Sequence, residues 1–251
     1  MSLTEGIREV VPPQGSGRVT KSGNDTVQDA IIELILSRQL KPGDLLPNER
    51  ELVEELAVGR NSVREAIKSL QALGIVTIRH GSGTYVASGS LDPLVGLLSF
   101  LSRISLFTDG RDANELVQVR EALEVELIPG AVGKTRPDDL ARLRECVEEM
   151  EARARVGQPF TDLDMTFHAA LYAPLGNRLL SELLRSFWLA YSSIADAVSD
   201  QDIDLVRTAA DHRRIYDLVA KSDGAGAAEA IREHFDGIRA RMRTIDGTYN
   251  V

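Results

Sequence analysis

The chain carries four histidines, and three of them, His168, His212 and His234, fall in its C-terminal half. Asp164 precedes His168 by one helical turn, a spacing that lets two side chains share an ion. His212 and His234 lie on two later helical stretches separated by a turn around Asp223-Gly224. If those stretches pack as a hairpin, both imidazoles can point to one spot in a bundle core, where ions are commonly held. Three neutral imidazoles and one carboxylate suit a borderline divalent ion such as zinc, nickel, manganese or iron. A tetrahedral ion would be closed off by four protein ligands. An ion preferring five or six ligands would keep positions open for water or a small carboxylate. The alternative is three separate histidines, each satisfied by its own hydrogen bonds.

A second concentration of chemistry lies between Asn48 and Val86. Arg60, Asn61, Ser62 and Arg64 crowd the first turn and a half of one short helical stretch. Such a helix end can meet base edges in a major groove, where an arginine fork matches the O6 and N7 acceptors of guanine. The bland alternative for any one of these is a solvated surface charge.

The elements that must hold these residues can be read from periodicity and caps. Asn48-x-x-Glu51 has the form of a capping box. Leu52, Val53 and Leu56 follow on one face, and Ala57-Val58-Gly59 makes a turn. Val63, Ala66, Ile67 and Leu70 then point inward, and Gly74 suits the end of that helix. Val76–Arg79 and Thr84–Ala87 are rich in β-branched residues. They flank a His80-Gly81-Ser82-Gly83 turn, whose glycines can take positive φ. Arg79 and His80 would sit at its tip. Two short helices, a tight turn and a glycine-tipped hairpin form the pattern of a winged helix-turn-helix, which points to sequence-specific binding of duplex DNA. An earlier helix is expected from about Thr26 to Leu40, burying Val27, Ala30, Ile31, Leu34 and Ile35 and stopped by Lys41-Pro42-Gly43.

The expected organisation is a flexible tail over 1–24, a DNA-binding domain over 25–88, a Ser88-Gly89-Ser90 joint, and an all-helical domain over 91–246. Helices are predicted at Leu94–Ser105, Asn114–Ile128, Pro137–Val156, Thr161–Ala173, Asn177–Val198, Ile203–Lys221 and Ala225–Ile245. Ile128-Pro129-Gly130 is expected to end or kink the second of these. The fold class is therefore mostly α: a winged helix-turn-helix with a small β-hairpin wing, followed by a helical bundle.

Composition narrows the setting. The length of 251 residues allows one large domain or two modest ones. One cysteine, Cys146, excludes a disulfide framework or a Cys-rich zinc finger and suits a reducing, cytoplasmic location. The first residues, with Glu5, Arg8 and Glu9, lack the apolar centre of a secretion signal. The greasy stretch Leu91–Leu106 is interrupted by Asp92, Pro93 and Arg103 and is too short for a bilayer, so no membrane partner is expected. The net charge of −9 lies mostly outside the DNA-binding part, since Thr26–Ser90 holds seven basic and eight acidic residues. That near balance implies modest non-specific affinity, which a second copy of the chain would raise by avidity.

Three motifs in order, Pro42-Gly43-x-x-Leu46-Pro47-x-Glu49, Val63-Arg64-Glu65-Ala66 and Gly81-x-Gly83-x-Tyr85-Val86, resemble the GntR family of bacterial transcription regulators. The resemblance implies DNA contacts from Arg50, Arg60, Asn61, Ser62, Arg64, His80 and Gly81. Gly59 departs from it, since most members have Ser or Thr there, and glycine brings no hydroxyl. The C-terminal half, through Leu116-x-x-x-Arg120-x-x-Leu123-Glu124, Asp164-x-x-Phe167-His168, Asp211-His212-x-x-Ile215-Tyr216 and Glu233-His234, resembles the FCD effector domain of the FadR subfamily. That resemblance implies a divalent metal, zinc first, held by Asp164, His168, His212 and His234. It also implies a small organic acid as effector. Arg120 would grip its carboxylate in a bidentate way, with an intrahelical pair to Glu124 as the bland alternative. Asn177 is a second effector candidate, or else a helix cap. The segment from Ile128 to Gly133 departs from the resemblance.

The function expected is an effector-controlled transcription regulator, a homodimer on a pseudo-palindromic operator. A metal-dependent enzyme acting on a small organic acid is the competing reading. It lacks a second positioned acid or base. A purely architectural DNA protein would leave three histidines unexplained.

Overall fold

Asn48 starts the second helix as its sequence demands. Its Oδ1 accepts from the backbone N–H of Arg50 and Glu51 at 3.0 and 3.1 Å, and Glu51 Oε2 accepts from the Asn48 N–H at 2.8 Å. In the computed structural model, which describes the backbone of residues 23–105, 111–195 and 204–248, the chain divides into two compact units, Met1–Ser88 and Gly89–Val251. The tail expected over 1–24 falls, up to residue 22, outside the described residues.

The first unit runs α1 (Gly23–Ser37), α2 (Glu49–Leu56), α3 (Arg60–Ala72), β1 (Val76–Arg79) and β2 (Gly83–Val86). The inner faces predicted from periodicity form its core: Val27, Ile31, Leu34 and Ile35 of α1, Leu52 of α2, and Val63, Ala66, Ile67 and Leu70 of α3, with Leu46 and Val76. Helix α1 stops before Leu40 because Gln39 turns left-handed at φ 54° and the Leu40 N–H reaches back to the Ile35 carbonyl. Gly74, at φ 70°, closes α3 in the same way, with Ile75 N–H on Leu70 O. The wing is antiparallel, pairing Val76 with Val86 and Arg79 with Gly83. Sequence reading missed one part of it. The segment after Pro42 runs beside β2, with Leu46 N–H on Thr84 O and Val86 N–H on Asp44 O. Glycine suits position 83 by its φ of 119°, which L side chains rarely adopt.

The second unit holds α4 (Asp92–Ser105), α5 (Arg111–Val132), α6 (Pro137–Arg155), α7 (Thr161–Tyr172), α8 (Arg178–Ala195), α9 (Leu205–Ala220) and α10 (Gly224–Thr248), with a single 3₁₀ turn at Ala173–Leu175. Helix α10 packs along α5 and α9, α6 against α7 and α9, and α4 against α8. Their shared core includes Leu116, Val147, Met150, Phe167, Leu171, Ile215, Ile231 and Phe235. The end of α8 expected at Val198 and the start of α9 expected at Ile203 lie outside the described residues.

One expectation is corrected. Of the end or kink expected at Ile128-Pro129-Gly130, the end is overturned: helix α5 continues through it to Val132. An interior proline costs about 3 kcal/mol. Burial of Ile128, Ala131 and Val132 around it offsets that cost. The start of α10 presses on the same point: a Cβ at Gly224 would lie 3.0 Å from Pro129 Cα. No helix among the described residues is long and apolar enough to cross a membrane.

Candidate functional site

Helix α7 presents Asp164 and His168 on one face, and α9 and α10 bring His212 and His234 to them. One ligand atom from each of the four lies within 4.8 Å of all the others. The ring centroids of His212 and His234 are 4.6 Å apart, and that of His168 lies 5.6 and 5.4 Å from them. All three rings are buried, His212 completely. The cluster could hold a metal ion.

The surroundings of each donor bear on that fit. The His212 Nδ1–H donates to the Thr208 carbonyl at 2.8 Å, which leaves Nε2 facing Asp164 Oδ1 at 2.7 Å. His168 Nδ1 lies 2.5 Å from Glu124 Oε2, so its Nε2 is the atom turned toward the cluster. The sole tryptophan, Trp188 on α8, donates its indole N–H to Asp164 Oδ2 at 3.1 Å. Outer partners of this kind fix the tautomer and aim of metal-binding histidines. The Nε2 atoms of His168 and His234 are buried with no hydrogen-bond partner. Unpaired nitrogens in a dry core are costly. A cation accepting their lone pairs would satisfy both. The donor set of three nitrogens and one carboxylate oxygen therefore fits a borderline divalent ion.

Charge is balanced around the cluster by α5. Arg120 and Glu124, both buried, pair at 2.6 Å. Burial pushes the Glu124 carboxyl up, but His168 and Arg120 overcome it and hold it at about 2. Burial would lower His168; the Glu124 carboxylate, with Asp164 3.5 Å from its Nε2, lifts it instead to about 9. Asp164 is held well below the ordinary range despite burial, by the His168 and His212 imidazoles that face it. His234 is driven well down by burial and by the two neighbouring imidazoles.

Arg120 thus makes the intrahelical pair with Glu124, yet its Nη2 remains buried without a partner. Asn177 is exposed, and its Oδ1 accepts from Leu180 N–H at 3.1 Å, capping α8. Glu124, Trp188, Tyr172 and the Thr208 carbonyl were missing from the sequence-derived set. Tyr172 donates to the Glu124 carbonyl at 2.9 Å. Only Glu124 and Tyr172 left a trace, each one helical turn from Arg120 or His168.

In the first unit Arg60, Asn61 and Arg64 are exposed along one end of α3, and Ser62 is half-buried. Gly59 is the N-cap and gives no side-chain bond. Arg50 lies exposed on α2, 3.9 Å from Glu54. His80 and Gly81 are exposed at the tip of the wing, Gly81 at φ 74°, and the Arg79 guanidinium stacks 4.3 Å from the Tyr85 ring.

Comparison with known proteins agrees with this division. Residues 24–86 match the bacterial regulatory proteins of the gntR family, and residues 115–237 match the FCD domain. The HTH-type transcriptional regulator LutR of Bacillus subtilis is 30% identical over 82% of this chain and 94% of its own. The Uxu operon transcriptional regulator of Escherichia coli is 30% identical over 84% of this chain and 83% of its own. Among solved structures, Streptococcus agalactiae GntR superposes with a TM-score of 0.62 at 29% identity, covering 87% of this chain and 99% of that one. The likeness runs along most of the length of these regulators as well as of this chain, and the chain belongs to the gntR family of bacterial regulatory proteins, as a transcription regulator with an FCD effector domain.

Proposed function

We propose that the protein is a homodimeric, ligand-responsive regulator of a pseudo-palindromic operator, acting in the cytoplasm. Its DNA affinity is set by a small organic acid bound beside a divalent ion. The observation that carries this reading is the convergence of four donors from α7, α9 and α10 with two of their buried nitrogens unpartnered. Asp164, His168, His212 and His234 would hold the ion, zinc first, with nickel, manganese and iron as alternatives. An ion there would leave the cluster with net positive charge and offer any open position to a carboxylate oxygen. Arg120 supplies the complementary donor, its buried Nη2. Asn177 is occupied with its helix.

On the DNA side, Arg60, Asn61, Ser62 and Arg64 would enter the major groove, with Arg50, His80 and Gly81 on backbone or minor groove. Dimerisation is favoured by the near-neutral charge of the DNA unit, which leaves one copy weakly bound. Exposed Leu97, Phe100, Leu101 and Ile104 on α4 offer apolar surface for self-association. The acid can act only by binding one arrangement of the dimer better than another.

Elemental analysis of purified full-length protein, with a thermal-shift screen of organic acids, tests the sensor half. About one ion per chain is expected, along with at least one acid that raises the melting temperature and changes binding to a duplex selected from a random library. Protein free of metal that gains no stability from added divalent ions would overturn the ion. A selected motif lacking two-fold symmetry would overturn the dimer on DNA.

A further inference from the structure

Glu49 is the first residue of α2, but its carboxylate serves α3. Its Oε2 lies 2.8 Å from Arg64 Nε, and its Oε1 lies 3.4 Å from Arg60 Nε. Oε1 is shielded from solvent and has no hydrogen-bond partner. The arginine side chains stay 66% and 56% exposed, against 32% for Glu49. One carboxylate on one helix therefore takes a hydrogen bond from the inner nitrogen of Arg64 and pairs by charge with that of Arg60, one turn away on the next helix.

From this geometry we propose that Glu49 is a positioning residue for DNA recognition: it aims Arg60 and Arg64 at the base edges and so sets sequence specificity at the expense of general affinity. This rests on Arg60 and Arg64 being the base-contacting residues. The Arg64 guanidinium, gripped at Nε, has its plane fixed while its two terminal nitrogens stay free, and Arg60 is drawn alongside by charge. That free pair is the fork that matches guanine O6 and N7. Without the carboxylate, two like charges one turn apart repel, and each flexible head can settle on phosphate instead. Phosphate contact is strong but blind to sequence. The carboxylate also repels phosphate, so its presence lowers binding to arbitrary DNA. A merely structural Glu49, acting as an anion at the start of α2, would do none of this.

The test uses full-length protein and a randomised duplex library, with bound DNA sequenced. A fixed duplex lacking the enriched motif is titrated in parallel over a range of salt. Glu49→Gln should keep the wild-type melting behaviour, bind the arbitrary duplex at least as tightly with a steeper salt dependence, and lose roughly tenfold or more of its preference for the motif. Glu49→Asp keeps the charge at the helix start but shortens the reach, and it should lose specificity too. Undiminished enrichment of the same motif by both variants would overturn the proposal. So would an equal loss of motif and arbitrary binding. Arg60→Ala and Arg64→Ala separate the two ideas. If they also leave the motif intact, the base contacts lie elsewhere. If they erase it and the Glu49 variants do not, Glu49 alone is ruled out.

Discussion

Glu124 is the residue on which the helical unit's chemistry turns. It is buried between Arg120 and His168 and touches both at hydrogen-bond distance. Removing one partner of a buried ion pair typically costs about 3–5 kcal/mol, because the other charge is left unpaired. Glu124→Ala should therefore destabilise the protein by that amount in urea unfolding. Replacing both, as Arg120→Met with Glu124→Leu, should recover most of the loss. The double variant should still bind a divalent ion roughly 10–100-fold more weakly, since His168 has lost the group that orients it. An unchanged ion affinity would show that Glu124 serves the fold alone. In the same cluster, His168→Ala or His234→Ala should lower bound metal on elemental analysis and remove the stabilisation that added ion gives the parent. One-turn spacing tied Asp164 to His168, while the joining of His212 and His234 to them rested on the family resemblance. Trp188 and the Thr208 carbonyl were not legible, because each comes from another element or from the backbone, and no local spacing records that.

At the level of elements, helix ends were the most readable feature and breaks the least. The Asn48–Glu51 box and the Gly74 stop are local hydrogen-bond chemistry, and the structure forms both. Asn48→Ala should cost about 1 kcal/mol in chemical denaturation. It should also weaken DNA binding modestly, because α2 carries Glu49 and packs on α3. A cost near zero would mean that solvent caps α2 equally well. An end at Pro129, one of the two outcomes expected there, does not occur because a local rule met a tertiary override: apolar residues on both sides of it are buried against the bundle. The strip of backbone from Asp44 to Leu46 beside the wing was invisible because it has no strand-like alternation of its own.

For the whole molecule, division into two compact units predicts two separable responses to loss of metal. A strong chelator should lower the melting temperature of the helical unit by several degrees. It should leave that of the first unit within about 1 °C, as read by differential scanning calorimetry of the full chain. A single transition shifted as one would show that the units unfold together. The mostly helical architecture with its small two-stranded wing was legible, since helical periodicity, caps and the glycine-tipped hairpin are recorded locally. Which residues of distant helices meet was not, because that depends on packing angles that one sequence does not encode locally.

The four donors arrive from three helices, α7 and the consecutive pair α9 and α10. An ion gripping all of them would act as a removable cross-link, drawing together segments that drift apart once the bundle opens. Proteases attack that opened form. A cell short of the ion would then hold fewer copies of the regulator, and not merely copies unable to sense their ligand.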